Sequence, residues 1–76
     1  MIFGRSEQQA VGTDPLEMKE ISLSASSEDL KLLAAFILKQ ADEMEAAKSP
    51  NWHRHINSSL CDRLGCDVIV LRHSDA

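Results

Sequence analysis

The stretch from Ser26 to Pro50 constrains this chain more than any other part of it. Ser26 and Ser27 offer a hydroxyl N-cap. Glu28 and Asp29 follow in the first turn, where the helix dipole favours anions. Ser26 and Asp29 have capping-box spacing, with Asp in place of the usual Glu. Leu30, Leu33, Ala34, Ile37, Ala41 and Met44 then share one face at a period of 3.6 residues. Lys48 stands in the predicted last turn, and Ser49-Pro50 stops the helix, because a residue before proline is driven out of the α region. The predicted helix has roughly 20 residues and is about 30 Å long. In a chain of 76 residues such a rod leaves room for one small domain and not two. A domain of this size buries only about 60–65% of the surface its unfolded chain exposes, and its core supplies roughly 3–5 kcal/mol. A deep pocket for a large cofactor has no room here, and no cofactor is expected.

The helix carries more apolar surface than one face needs. Leu32 and Phe36 lie one turn apart on a flank, beside Lys39 and Glu43. They either meet a loop or the N-terminal segment, or they face a partner. Further along stand Asp42, Glu43 and Glu45, in a chain with 8 basic and 12 acidic residues and a net charge of −4. A solvated acidic face explains them simply. The functional alternative is a contact surface for a basic protein, built from Leu32, Phe36, Asp42, Glu43 and Glu45.

Strands are expected on both sides of the helix. Ile21, Leu23 and Ala25 alternate with Ser22 and Ser24, the period of a half-buried strand. Leu16 and Met18 have the opposite parity, so the strand starts near Lys19 or a bulge swaps its faces. Trp52 to Ile56 reads as a short edge strand, with Trp52, Arg54 and Ile56 on one side and His53 and His55 on the other. Asn57, Ser58 and Ser59 favour a turn, and Leu60 to Leu64 suits one helical turn ended by Gly65. Val68-Ile69-Val70-Leu71 reads as a central strand covered on both faces. The expected fold is a two-layer α+β domain, β-α-β-β. Its three-stranded, mostly antiparallel sheet has the order 1-3-2, with one long helix on one face. Residues 1–15 are expected to be a flexible tail and residues 16–76 the domain. A lone helix covers one sheet face only. A second copy or a partner is therefore expected on the other, which makes a homodimer one reading.

Chemistry has few candidates. His53 and His55, at i and i+2 on a strand, point the same way and lie about 6.5–7 Å apart at Cα, close enough to share a metal. Zinc needs further ligands, so the simpler reading is two half-exposed histidines on an edge strand. Cys61 and Cys66 adjoin Asp62 and Asp67, and a neighbouring carboxylate raises a thiol pKa, which disfavours a nucleophile. Gly4, Gly12 and Gly65 are isolated, so there is no phosphate-binding loop. The acidic balance argues against nucleic acid or an anionic membrane as partner. The longest apolar run, Leu32 to Leu38, is far short of the roughly 20 residues of a membrane span. Met1 to Arg5 lacks the pattern of a secretion signal, and two cysteines fall short of a disulfide framework, so a cytoplasmic location is expected.

Taken in succession, Ile21-Ser22-Leu23-Ser24-Ala25-Ser26, the acidic-capped helix start Glu28-Asp29-Leu30, His53-Arg54-His55-Ile56-Asn57 and the closing Val-Ile-Val-Leu strand form a pattern. Over about residues 19–72 it resembles immunity protein family 32 of bacterial polymorphic toxin systems. The His-x-His-Ile-Asn stretch is its most distinctive part. Cys61, Cys66 and the first 15 residues are not part of the pattern. The resemblance implies a non-enzymatic role, binding a toxin and blocking it, with His53, His55 and Asn57 as the marked residues. Asn57, which begins a turn, is expected to act through local hydrogen bonds.

Overall fold

The computed structural model describes residues 2–6, 8–9 and 14–73. Its main element is helix α1, Ser27–Ala46. Ser26 caps it as expected, its hydroxyl accepting the Asp29 N–H at 3.1 Å. The other end differs from expectation. The helix stops at Ala46 with Ala47 as C-cap, and Lys48 lies beyond it, so no basic residue stands in the last turn. The cation comes from 25 residues or more down the chain instead. Arg72 Nη2 donates to the carbonyls of both Met44 and Ala47 at 2.7 Å. These are carbonyls that the helix end leaves without intrahelical partners.

The second half of the chain is a hairpin with a helix in its connection. Strand β3, His53–His55, pairs antiparallel with β4, Ile69–Leu71, in the register His53 to Leu71, Arg54 to Val70 and His55 to Ile69. The Ile56 N–H donates to the Val68 carbonyl and the Arg72 N–H to the Trp52 carbonyl, which carries the pairing one step further at each end. Helix α2, Ser58–Leu64, lies between the strands. The expected single turn at Leu60 to Leu64 starts two residues earlier, because Asn57 Oδ1 accepts the Leu60 N–H at 2.9 Å and caps the helix there. Gly65 ends it in the left-handed region at φ 77°, where a side chain would be strained.

The expected three-stranded sheet, order 1-3-2 beneath a single long helix, does not form. The α+β class holds, but among the described residues with two helices and two separate two-stranded antiparallel sheets. The second sheet joins β1, Phe3–Gly4, to β2, Leu16–Glu17, and the Met18 N–H donates to the Ile2 carbonyl at 2.7 Å. Strand pairing in this region thus falls on Leu16, Glu17 and Met18 and not on Ile21 to Ala25, which carry no strand structure. The two stretches have opposite parity across Lys19 and Glu20. Pairing with Ile2 to Gly4 engages the first stretch, and the second has no strand beside it among the described residues.

The core is small. Leu33, Ile56 and Leu60 form its buried cluster, with Phe36, Cys61, Leu64 and Val68 packed around it. Trp52 is also buried, and the Arg54 guanidinium stands 5.3 Å from its ring centre. This core turns α1 away from its expected orientation. The hairpin and α2 meet the helix along Leu33, Phe36 and Gln40, so Ala34 and Ala41 are exposed and Ile37 is 46% exposed. Arg63 of α2 reaches back to the start of α1, pairing with Asp29 at 2.6 Å and Glu28 at 3.6 Å.

Candidate functional site

Residues 32, 36, 39 and 43 are spaced by four, three and four, and so form one stripe along α1. This stripe borders the connection from β3 into α2. Between them lies a groove of about 410 Å³, lined among others by Leu32, Phe36, Lys39, Gln40, His55 and Asn57. Asn57 is there because it caps α2, and His55 because it ends β3. A smaller hollow of about 250 Å³ adjoins the groove at Leu32 and Asn57 and runs on to Ser59 and Arg63. Phe36 is half-buried against the core, whereas Leu32 is open to solvent.

Gln40 gives the groove its one polar demand. It is only 6% exposed, and its Oε1 has no hydrogen-bond partner. A buried amide oxygen left unpaired is unfavourable by about 1–3 kcal/mol.

The structure splits the contact surface expected from sequence. Leu32, Phe36 and Glu43 share the groove-side stripe. Asp42 and Glu45 fall on the far side of the helix, both exposed, in line with Leu38. The acidic group is therefore not one surface. Instead the groove joins Leu32 and Phe36 to His55 and Asn57, two sets that lie far apart in sequence.

The hairpin has a second open surface. Facing the helices are Trp52, Ile56, Val68, Val70 and Arg72, all buried or half-buried. On the opposite face His53, His55, Ile69 and Leu71 are exposed. His55 Nδ1 donates to Asp67 Oδ2 at 2.7 Å, and His53 Nδ1 to the Asn51 carbonyl at 3.2 Å. The two rings stand 5.7 Å apart, nearly perpendicular at 77°. Among the described residues no three His, Cys, Asp or Glu side chains come together as a metal site. Both cysteines are free thiols. Burial pushes the Cys61 thiol up from its ordinary pKa, and Asp67, Asp62 and Cys66 push it further. That is the wrong direction for a nucleophile.

Gln40 and Asp67 were not singled out from the sequence, though each left a trace there. Gln40 is a polar residue seven positions after Leu33, on the buried face. Asp67 precedes β4 by two residues, which places it diagonally across from His55 once the hairpin register is known.

No protein-family model, curated protein or solved structure matches the chain. What the structure defines is a small α+β domain with an open groove and an open sheet face. Among the described residues no helix is long and apolar enough to cross a membrane.

Proposed function

We propose that this chain is a non-enzymatic binding protein that acts by occluding a protein partner, as the immunity-family resemblance implies, with a toxin domain as that partner. The observation that carries the reading is surface. Among the described residues four apolar side chains are buried and ten large ones are exposed. Leu32, Ile37 and Leu38 of α1 are among those ten, apolar surface of the kind that marks a protein contact. The groove is the favoured contact. Leu32 and Phe36 supply apolar area, and Glu43, on the same stripe of α1 but beyond the groove lining, supplies charge toward a basic partner. Asp42 and Glu45, on the far side of the helix, add only to the net acidic charge that raises the encounter rate with a basic partner. The action is placed in the cytoplasm, where Cys61 and Cys66 stay reduced.

The test is co-expression with a toxin domain encoded beside this chain, scoring survival of the host. Survival is expected with the unaltered chain and is lost with Leu32→Glu, whose circular-dichroism spectrum and melting stay unchanged because Leu32 lies outside the core. Rescue by the unaltered chain and by the Leu32→Glu variant alike would remove the groove from the mechanism. Failure of the unaltered chain to rescue would remove the immunity reading itself.

A further inference from the structure

We infer that the outer face of the β3–β4 hairpin is half of a zinc site, which two copies of this chain complete around one ion. The inference concerns the outer sheet face and a different occupant from the toxin reading, and shares His55 with the groove. It begins with the tautomers. A backbone carbonyl and a carboxylate can only accept, so the Nδ1 atoms of His53 and His55 each carry the proton in their bonds to the Asn51 carbonyl and to Asp67 Oδ2. Each Nε2 is then left with a free lone pair. A carboxylate and a backbone carbonyl are the groups that orient zinc-bound imidazoles and raise their basicity, and both histidines have one.

The spacing agrees. With Zn–N of about 2.05 Å and a nitrogen about 1.1 Å from its ring centre, two imidazoles on one tetrahedral ion have centres about 5.2 Å apart. The observed separation is 5.7 Å, and a small rotation of two exposed rings closes the gap. The cross-strand neighbours are Ile69 and Leu71, 46% and 61% exposed. They frame the pair with apolar surface that excludes water once covered.

One chain supplies two ligands, and no third is gathered with them among the described residues. A two-fold axis through the ion brings His53 and His55 of a second copy and gives four imidazoles in the tetrahedral set that zinc favours. The second copy is the favoured occupant because it alone arrives with the same two oriented nitrogens. Two acidic chains of charge −4 repel each other, and the ion offsets that repulsion at the contact. Two apolar side chains per copy are too little to hold a dimer alone, so association follows the metal.

The experiment is sedimentation and native mass spectrometry of the full chain at tens of micromolar, near pH 7.5, in EDTA and then with zinc chloride. A monomer in EDTA and a dimer carrying one zinc are expected. His53→Gln/His55→Gln is expected to stay monomeric in zinc with an unchanged circular-dichroism spectrum. Asp67→Asn is expected to weaken zinc binding about 10- to 100-fold. Cobalt in the unaltered chain gives a readout that needs no variant: intense tetrahedral bands without thiolate-to-metal charge transfer. Absence of zinc binding, one zinc per monomer, a dimer that persists in EDTA, zinc dimerisation of the double variant, or a thiolate band would each overturn the assignment.

Discussion

Ser26 divides two regions that differ in how their apolar residues are used. After it, each element is closed by something specific. Ser26 and Asn57 cap the two helices, Gly65 ends the second, and Arg72 holds the end of the first. Leu33, Ile56 and Leu60 then meet in one buried cluster. Before it, Ile2, Phe3, Leu16, Ile21 and Leu23 are all exposed, and the strand pairing among the described residues is two residues long. Both regions contain the patterns expected of folded structure. The difference teaches that a periodic pattern states which face would be buried but does not supply the surface that buries it.

The sharpest way to break this comparison is to remove one large side chain from each region. Leu60→Ala empties a site only 4% exposed at the centre of the cluster and is expected to destabilise the chain by about 2–5 kcal/mol. That is comparable to the whole stability of a domain this small, so urea unfolding at 25 °C should show a largely unfolded population before denaturant is added. Leu23→Ala removes a similar side chain that is 62% exposed and is expected to change stability by no more than about 0.5 kcal/mol. A large loss from Leu23→Ala would mean that residues 20–26 are covered in solution by another copy or by the chain itself.

The second prediction concerns the cation at the end of α1. Arg72→Met keeps the apolar stem and removes both bonds to the Met44 and Ala47 carbonyls. Hydrogen bonds from a charged donor contribute about 1.5–3 kcal/mol, and a thermal melt should fall accordingly. Lys48→Ala, in the position that sequence alone would choose, is expected to leave the melt unchanged because Lys48 lies beyond the helix. Equal losses from the two substitutions would return the capping role to the local residue.

These contrasts show what was legible in the sequence. Ser26, Glu28 and Asp29 announced the start of α1, Gly65 the end of α2, and the parity of Trp52 to Ile56 the two faces of β3. All are signals within a few residues of their effect. Three things were not legible. Arg72 caps a helix that ends at Ala46, a long-range contact that composition cannot encode. The rotation that buries Phe36 and Gln40 but exposes Ile37 depends on where the hairpin docks, since Leu32 to Leu38 is apolar all round. The strand expected at Ile21 to Ala25 has the right alternation, but no strand among the described residues lies beside it. For the candidate site, Leu32, Phe36, His55 and Asn57 were each visible as residues worth attention. Their meeting in one groove was not, because it requires the path of α1 past β3.

The smallest expected effect lies at the edge of the packed region, between two cysteines five positions apart, one in α2 and one just past its end. Cys61 is half-buried against the core and Cys66 is exposed. Burial, followed by the charges of Asp67, Asp62 and Cys66, holds the Cys61 thiol protonated beyond its ordinary range. The fold therefore favours its proton. The stability contributed is fully present below the ordinary thiol pKa and is lost as pH rises through the folded value, because the unfolded chain ionises first. Only the thiolate is alkylated. Iodoacetamide at pH 8, followed by peptide mass mapping, should label Cys66 several-fold faster than Cys61 in the folded chain. In urea the two rates should converge, and the pH profile of Cys61 should move to lower pH. Equal rates in the folded chain would show that Cys61 is not part of the core, and would move the boundary between the closed and open regions to the far side of α2.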